Sequence, residues 1–417
     1  MEYGCIGEKL GHSFSKIIHN ELANYNYELC EIAKEDLNDF MTKADFKAIN
    51  VTIPYKESVL PYLYEIDEQA KIIGAVNTIV NVNGKLLGFN TDFFGMTALI
   101  KRAGITLENK KVLILGSGGT SKTAFAVARS MNASCVLRVS RKPSDEMVTY
   151  EEVYRNHCDA EIIINTTPCG MYPENDCVAI NLNSFSNLCG VIDAVYNPLD
   201  SLLVTTAKKM GVKAVGGLYM LVAQAAFAVE KFIDKKVTVS EIDRVFKKIL
   251  FNKKNAVLIG MPGCGKTTIG KEVAESLSKE FIDTDDEIVK KIGISIPEFF
   301  EKYGEAAFRK IESEVIAEVS LKQNCVIATG GGAVLNRKNT DLLKGNGTVI
   351  FIDRPLDLLI TSSDRPLSSN RDLLIKRYEE RYDIYLSSND LIIKADKDLK
   401  TNIKAVEEGF LNEIFSS

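Results

Sequence analysis

The chain of 417 residues is too long for one ordinary core, and at roughly 150 residues per domain it predicts about three domains. Its 46% hydrophobic and 26% charged residues are typical of globular domains, and a net charge of -5 argues against a general nucleic-acid or membrane surface. The longest apolar stretch, 218–229, is shorter than the roughly 20 residues that span a bilayer. We therefore expect a cytoplasmic protein with small-molecule ligands and no nucleic-acid or membrane partner.

Nine cysteines are scattered from Cys5 to Cys325, without a Cys-x-x-Cys pair or a companion histidine cluster. In a chain with an ample core, this pattern predicts buried thiols in a reducing compartment rather than a metal or redox site. The first residues also lack the basic-then-apolar pattern of a signal peptide.

The first hundred residues contain β-branched runs bounded by turn residues. The runs at 48–53 and 75–80 predict strands, and Asn-Gly at 83–84 predicts a hairpin turn. This segment is therefore expected to have strands of its own.

Two later apolar runs lead directly into glycine-rich loops. The run 111–115 precedes Gly-Ser-Gly-Gly at 116–119, and the run 256–259 precedes a second loop at 260–265. An apolar strand that ends in glycines and feeds a helix is typical of parallel sheets, so each loop predicts its own doubly wound sheet.

The region between the two loops alternates strands with helices, as in a Rossmann half-sheet. A long helix is predicted over about 219–233. A second helix, over 240–250, is expected to end only about five residues before the second sheet begins. The predicted strands of this region are 135–139, 161–164 and 190–192.

The second loop matches G-x-x-x-x-G-K-[ST] at every fixed position. Its glycines allow backbone N–H groups to surround phosphate oxygens at a helix start. Lys266 would neutralise the β- and γ-phosphates of ATP, and the Thr267 hydroxyl would coordinate Mg²⁺. The motif predicts a nucleoside triphosphate but does not identify the acceptor.

The residues that follow carry candidate acceptor contacts. Asp283 and Asp285 are two residues apart, so an extended segment would place both on one side, although such a pair is more often a surface loop. Arg309 and Glu312 share a helix face, and spacing alone favours an exposed ion pair. Three glycines at 330–332 end an apolar run and permit close approach of a ligand.

The first glycine loop departs from G-x-G-x-x-G, because Ser121 stands where the third glycine is expected. About 20 residues on, an NAD site needs an acid for the ribose hydroxyl. Here Ser140 is followed by Arg141 and Lys142, so a 2′-phosphate and hence NADP is favoured. The alternative is a solvated basic turn.

Upstream polar residues suggest a substrate site. Ser13 and Ser15 could hold a carboxylate, with helix capping as the alternative. Asn50 and Thr52 would share one face of a strand that leads to Lys56. By spacing alone, Lys56 and the distant Asp92 are no more than separate surface charges.

Together these segments resemble two families. Residues 254–417 are similar to shikimate kinase, through the phosphate loop, Asp-Thr-Asp at 283–285, Phe-Arg-x-Ile-Glu at 308–312, Gly-Gly-Gly-Ala-Val at 330–334, Arg-Pro-Leu at 365–367 and Glu-Arg-x-x-x-Tyr at 380–385. Residues 1–250 resemble shikimate dehydrogenase, through His-Ser-x-Ser at 12–15, Asn-Val-Thr-x-Pro-x-Lys at 50–56, Gly-Ala-Val-Asn-Thr at 74–78, Asn-Thr-Asp at 90–92, Asn-Thr-Thr at 165–167, Tyr-Asn-Pro at 196–198 and Gly-Gly-Leu at 216–218.

The kinase resemblance implies a set of site residues. Lys266 and Asp285 would be catalytic, and Thr267 and Asp283 would hold the metal. The implied ATP contacts are Gly263, Cys264, Gly265, Lys266, Thr267, Thr268 and Arg365. The implied shikimate contacts are Asp285, Arg309, Gly330, Gly331, Gly332 and Arg381. One departure is the lid segment 358–363, which lacks the basic residues common in the family, so unusual ATP affinity or nucleotide selectivity is expected.

The dehydrogenase resemblance implies a second set, with Lys56 and Asp92 as the catalytic pair. The implied substrate contacts are Ser13, Ser15, Asn50, Thr52, Lys56, Asn77, Asp92, Tyr196 and Gln224. The implied NADP contacts are Gly116, Ser117, Gly118, Gly119, Thr120, Ser140, Arg141, Lys142, Thr166, Gly217 and Met220.

The resemblance as a whole implies an α/β protein of three α/β units. These are a substrate-binding domain (1–95 plus 219–250), a Rossmann NADP domain (96–218) and a P-loop kinase domain with a parallel sheet like that of nucleoside monophosphate kinases (254–417). The implied activities are reduction of 3-dehydroshikimate by NADPH and phosphorylation of shikimate by ATP with Mg²⁺. A fusion that uses quinate or prefers NAD, and a metabolite-sensing regulator, are the alternatives. A homodimer is left open.

Overall fold

The computed structural model describes residues 1–10, 14–142, 147–175, 177–360 and 371–416. Ser13 and Arg365, two of the predicted site residues, lie outside these ranges. The chain divides into unit 1, Met1–Tyr196 with Leu203–Lys248, and unit 2, Asn197–Leu202 with Ile249–Ser417.

Unit 1 contains a mixed sheet built from the first hundred residues, in the order β2-β1-β3-β5-β6-β4. The antiparallel pair β5 and β6 is joined at Asn83 and Gly84, both with positive φ (52° and 84°), which confirms the predicted hairpin turn. The strands are β1 (Tyr3–Gly7), β2 (Tyr27–Glu31), β3 (Ala48–Val51), β4 (Glu65–Ile66), β5 (Thr78–Val82) and β6 (Lys85–Phe89).

The second sheet of unit 1 has the order β12-β11-β10-β7-β8-β9, and all of its strand pairs are parallel. The chain moves from β7 to β8 on one side and then to β10 on the other, so the topological switch point lies where β7 and β10 end. The strands are β7 (Lys111–Leu115), β8 (Cys135–Val139), β9 (Met147–Val148), β10 (Ile162–Asn165), β11 (Gly190–Asp193) and β12 (Lys213–Val215).

The helices of unit 1 cover the sheets, and the last one continues into unit 2. They are α1 (Ser15–Leu22), α2 (Leu37–Lys43), α3 (Glu68–Ile73), α4 (Thr91–Arg102), α5 (Gly119–Ser130), α6 (Tyr150–Asn156), α7 (Leu202–Lys209), α8 (Leu218–Ile233) and α9 (Val239–Lys253).

Unit 2 has a five-stranded parallel sheet in the order β14-β15-β13-β16-β17. Every residue of its three central strands is buried, as both faces of a parallel sheet require. The strands are β13 (Asn255–Ile259), β14 (Glu280–Asp283), β15 (Cys325–Ala328), β16 (Gly347–Asp353) and β17 (Leu391–Lys394). The helices are α10 (Lys266–Ser276), α11 (Thr284–Ile292), α12 (Ile296–Ser320), α13 (Arg337–Asn346), α14 (Arg371–Ser388) and α15 (Leu399–Phe415).

Several predicted boundaries are wrong. Helix α9 continues to Lys253 rather than ending at Leu250, which leaves Lys254 alone before β13 instead of about five residues. The Lys279 ammonium donates to the carbonyls of Phe251 (2.7 Å) and Lys254 (3.1 Å), so this end of the helix is satisfied by a distant side chain.

The strand predicted at 48–53 ends at Val51, because Pro54 has no N–H for a ladder and Tyr55 N closes a turn on Thr52 O at 2.9 Å. Thr52 and Lys56 therefore come from a turn rather than from a strand face. The strand predicted at 75–80 begins only at Thr78.

The cysteines follow the prediction in part. All nine are free thiols, but only Cys5, Cys264 and Cys325 are buried. Among the described residues, no group of three or more His, Cys, Asp or Glu side chains could hold a metal ion. Within the same ranges, no helix is both long and apolar enough to cross a membrane.

Candidate functional site

Unit 1 has a cavity of about 550 Å³ that brings together side chains from distant parts of the chain. Three predicted cofactor contacts, Thr120, Gly217 and Met220, lie in the same wall as the substrate contacts. The predicted substrate contacts in the wall are Ser15, Asn50, Thr52, Lys56, Asn77, Asp92, Tyr196 and Gln224.

The charged pair in this cavity is Lys56 and Asp92. Lys56 Nζ donates to Asp92 Oδ2 at 2.5 Å, and the side chains are only 19% and 12% exposed. Asp92 lies in the first turn of α4, where the helix dipole favours a carboxylate. Asn90 holds this helix start, because it caps Phe93 N through Oδ1 and donates to Ala75 O through Nδ2. The pair that spacing could not connect is therefore an ion pair.

A close helix contact supports the same cavity. Gly95 of α4 faces α8, and a Cβ at this position would lie 2.8 Å from Gln224 Cβ and from Met220 O. Only glycine lets α8 approach closely enough for Gln224 to line the cavity. Gly95 is not among the residues predicted for this site, although a glycine inside a helical pattern is a signal of close packing.

The first glycine loop has the geometry of a nucleotide-binding turn. Gly116 has a φ of +118°, and a Cβ there would lie 2.6 Å from Thr166 Oγ1. Ser121 replaces the third glycine without conflict, because it is buried and its hydroxyl donates to Gly116 O at 2.7 Å. Within the described residues, open space lies above Gly118 and Gly119, next to the start of α5.

The basic residues that suggested NADP lie at the end of β8. Lys142 N donates to the Ser140 hydroxyl at 3.2 Å, which orders this turn. Arg141 lines a second cavity of about 630 Å³ together with Thr167, the residue after Thr166. The cation therefore lies beside open space at the end of the Rossmann sheet.

In unit 2, the phosphate loop curls around its own lysine. Gly260, Gly263 and Gly265 have φ values of 147°, 81° and 97°, a backbone that favours glycine. Lys266 is 9% exposed, and its Nζ donates to the carbonyls of Gly260 (2.9 Å) and Met261 (3.1 Å).

A cavity of about 330 Å³ extends from this loop to the carboxyl ends of β14 and β15. Cys264, a predicted ATP contact, does not line it, since its side chain is buried and its N–H bonds to Met261 O. The predicted kinase residues in the cavity wall are Gly263, Gly265, Lys266, Thr267, Thr268, Asp283, Asp285, Arg309, Gly330, Gly331, Gly332 and Arg381.

The two aspartates differ from the prediction of one extended segment. Strand β14 ends at Asp283, whose Oδ1 caps α11 by accepting from Asp285 N at 3.0 Å. Its other oxygen, Oδ2, accepts from the Thr267 hydroxyl at 2.7 Å. Asp285 lies in the first turn of α11 and faces Gly330, where a Cβ would be 2.7 Å from its Oδ1. The two carboxylates thus have different neighbours: Asp283 contacts Thr267 of the phosphate loop, and Asp285 faces Gly330.

Arg309 and Glu312 are also not the exposed pair that spacing favoured. Arg309 Nη1 donates to Glu312 Oε2 at 2.7 Å, and Glu312 is only 2% exposed. Burial raises the pKa of the Glu312 carboxyl, and the Arg309 charge opposes this shift. A Cβ at Gly332 would overlap the Arg309 guanidinium, so the third glycine leaves the space that the guanidinium occupies.

Arg381 also lines this cavity. It is 3% exposed, and burial lowers its pKa from the usual value. Its Nη1 donates to Gly331 O at 3.1 Å, which also accepts from the Tyr385 hydroxyl at 2.5 Å. Arg381 Nη2 is buried, and no described residue is its hydrogen-bond partner. A buried guanidinium with an unsatisfied donor is suited to an anionic ligand group.

Family models match both parts of the chain, namely the shikimate dehydrogenase substrate binding domain over residues 5–79 and shikimate kinase over residues 262–414. The shikimate dehydrogenase (NADP(+)) of Clostridium perfringens is 35% identical over 264 residues, which cover 59% of this chain and 97% of the relative. The corresponding enzyme of Methanococcus maripaludis is 39% identical over 270 residues, 57% of this chain and 97% of the relative.

Among solved structures, shikimate dehydrogenase 1 from Peptoclostridium difficile has a TM-score of 0.55 and 35% identity, and covers 60% of this chain and 98% of that one. These relatives match the Rossmann-bearing part, while the kinase model matches the P-loop part. The chain belongs to the shikimate dehydrogenase family and continues into a shikimate kinase domain, so it is a dehydrogenase/kinase fusion of the shikimate pathway.

Proposed function

We propose that unit 1 catalyses the NADPH-dependent reduction of 3-dehydroshikimate to shikimate. The observation that carries this proposal is the Lys56–Asp92 pair, partly shielded from solvent in a cavity that also holds Ser15, Asn77 and Gln224. NADPH, when bound, would supply the hydride, and the open loop at 116–119 with Arg141 fits its phosphates. Lys56 donates a proton to the carbonyl oxygen, and Asp92 orients Lys56.

We propose that unit 2 transfers the γ-phosphoryl group of ATP to a shikimate hydroxyl. The cavity extends from the phosphate loop to two arginines and Asp285, so it can hold a nucleotide and a carboxylated polyol in line. Arg381 and Arg309 would bind the carboxylate, with Gly330, Gly331 and Gly332 against the ring, and Asp285 would accept the proton of the attacking hydroxyl.

We propose Mg²⁺ as the metal of this site. The hydrogen-bonded pair of Thr267 and Asp283 offers hard oxygen donors beside the phosphate loop. Mg²⁺ prefers such a site, with few protein ligands and the rest from water and phosphate. The ion would neutralise charge on the transferring group.

The predicted domains stay part of the proposal, with residues 1–95 plus 219–250 as the substrate domain, 96–218 as the NADP domain and 254–417 as the kinase. In its favour, α8 carries Gln224 into the cavity beside Asp92. We further propose a cytoplasmic enzyme without nucleic-acid or membrane partners. Whether it is a monomer or a homodimer is read from its mass in solution by light scattering.

The central experiment uses the purified full chain. The protein should reduce NADP when shikimate is added, and should consume ATP only in the presence of shikimate. Lys56→Ala should abolish the first activity alone, and Lys266→Ala the second alone. If either change leaves both activities intact, the assignment of the two sites is wrong. A preference for quinate or NAD would appear as a kcat/KM higher than that for shikimate or NADP. The similarity to NADP-dependent shikimate dehydrogenases argues against such a preference.

A further inference from the structure

We infer that Tyr27, which lies outside the cavity wall, is a positioning residue for the dehydrogenase site. Its buried hydroxyl acts through Asn50 and Thr78 to hold the Asn77 carboxamide in place at the cavity. The inference rests on the proposed dehydrogenase function.

The orientation of Asn77 follows from its neighbours. Asn77 is 3% exposed, and its Oδ1 accepts from the backbone N of Thr91 at 2.7 Å and from the Thr78 hydroxyl at 3.0 Å. A backbone N–H can only donate, so a flipped amide would set two donors against each other. Oδ1 therefore faces the start of α4. Nδ2, for which no described residue provides a hydrogen-bond partner, is the end of the amide available to the cavity.

Asn50 is fixed in the same way. Its Nδ2 donates to the backbone carbonyl of Asn77 at 3.3 Å and to Thr78 Oγ1 at 3.1 Å. A carbonyl can only accept, so the amide nitrogen must lie on this side, and Oδ1 accepts from the Tyr27 hydroxyl at 2.7 Å. The hydrogen bonds thus run in one direction, from Tyr27 to Asn50, from Asn50 to Thr78 and from Thr78 to Asn77.

Tyr27 itself is held away from solvent. It is 0% exposed, and its ring stacks on His19 with 4.0 Å between centroids. Burial raises the pKa of Tyr27 well above its usual value, so the hydroxyl remains a donor, while a hydrogen bond with Ser15 acts in the opposite direction. Tyr27 therefore lies beneath two residues of the cavity wall, Ser15 and Asn50.

Removal of this hydroxyl would leave Asn50 Oδ1 without its donor. Both amides would keep their orientation, because the Asn77 carbonyl and the Thr91 N–H still fix them. Asn50, Thr78 and Asn77 would be held less firmly, so Asn77 Nδ2 would be less well positioned for the substrate. A hydroxylated ligand should bind more weakly. Proton transfer should be little affected, since the Lys56–Asp92 ion pair is not part of this chain of hydrogen bonds.

The test is Tyr27→Phe in the full chain, with initial rates of NADP reduction measured without ATP so that only the dehydrogenase site is read. KM for shikimate should rise ~3- to 10-fold, the effect of one lost hydrogen bond, while kcat and KM for NADP stay within about twofold. The matched control is Tyr25→Phe, whose hydroxyl bonds to His19 Nδ1 at 2.6 Å in the same ring cluster. KM for shikimate should not change in this control.

Two substitutions of Thr78 test the same chain of hydrogen bonds in case Tyr27→Phe does not fold. Thr78→Val removes the hydroxyl that links Asn50 to Asn77 and should raise KM for shikimate, whereas Thr78→Ser retains it and should stay near the native value. The inference is overturned if Tyr27→Phe changes KM no more than Tyr25→Phe, or if Thr78→Ser and Thr78→Val behave alike. Failure of the proposed function would appear differently, as a native protein that does not reduce NADP with shikimate.

Discussion

Lys56 Nζ lies 2.5 Å from Asp92 Oδ2, although 36 positions separate the two residues along the chain. The lysine comes from the turn after β3 and the aspartate from the first turn of α4. Two separate elements therefore create one shielded ion pair, and most of the chemistry that we propose for unit 1 depends on it.

Replacement of Asp92 by Asn removes the negative charge of the side chain and keeps its shape. The amide occupies the same volume but cannot orient a charged Lys56, so kcat of NADP-dependent shikimate oxidation should fall at least ~100-fold, as for lost acid–base catalysis. The kinase activity of the same preparation is the control for folding and concentration. A dehydrogenase kcat within twofold of native would contradict the role of Asp92.

Arg141→Ala should weaken the selection for NADP. Loss of a charge-assisted contact to the 2′-phosphate should raise KM for NADP roughly 10- to 100-fold. KM for NAD, which lacks that phosphate, should hardly change. The ratio of kcat/KM for the two cofactors is the measurement. Equal losses with both would mean that Arg141 maintains the turn rather than reading the phosphate.

Arg381→Lys should keep the positive charge in unit 2 but lose the planar fork. A lysine at this depth cannot both donate to Gly331 O and bind a carboxylate with two bonds, so KM for shikimate in the ATP-dependent reaction should rise ~10- to 100-fold. The matched control is Arg377→Lys, one turn earlier on α14, where the arginine pairs with Glu380 at 2.8 Å. Its KM should remain near native, and a similar rise in both variants would argue for a general effect of α14.

Removal of divalent cations should distinguish the two activities. With excess EDTA, phosphorylation of shikimate should stop, because the Thr267–Asp283 site loses its ion, whereas NADP reduction should continue at its native rate. Added Mg²⁺ should restore the kinase. Asp283→Asn should shift the Mg²⁺ concentration for half-maximal rate upward. Full kinase activity without metal would refute the proposed site.

His19 predicts a specific acid sensitivity of unit 1. Burial lowers its pKa from 6.5 to about 3, so the unfolded chain takes up the proton first as pH falls. The stability associated with neutral His19 is complete above pH 6.5 and is lost as pH falls toward 3, by at most ~1.4 kcal/mol per pH unit. His19→Phe keeps a ring against Tyr27 and removes this loss.

This acid sensitivity is tested by denaturant unfolding of native and His19→Phe protein at pH 7, 6, 5 and 4. The unfolding transition that shifts when NADP is added belongs to unit 1. The unfolding free energy of His19→Phe, relative to that of the native protein, should increase as pH falls. A difference that does not vary with pH would mean that His19 takes up its proton at the same pH in the folded and unfolded states.

Features that depend on local backbone chemistry could be predicted from the sequence. The Asn83–Gly84 turn, strands β7 and β8 and the phosphate loop all follow from adjacent residues. Positive φ selects glycine or asparagine, and the four buried residues of β7 form an unbroken apolar run. The run of β8 is interrupted by Arg138, but its other residues are apolar. The resemblance to known families then supplied candidate roles for residues that spacing left unconnected.

Features that depend on distant contacts were missed or misjudged. Glu312 was expected at the surface, because helix spacing shows its partner Arg309 but not what covers the pair. The Asp283–Asp285 segment was expected to be extended, because an N-cap is recognised only once the helix start is known. The contact of Gly95 with α8 joins positions more than a hundred residues apart.

Two phosphate-binding loops and the strands that lead into them can be read from the sequence alone, since they follow from φ preferences and apolar runs of neighbouring residues. Which side chains meet is set by the tertiary structure. It paired Lys56 with Asp92, buried Glu312 beside Arg309 and oriented the Asn50 and Asn77 amides. The physical reason is that ion pairing, burial and amide orientation depend on groups that the fold brings together from distant positions.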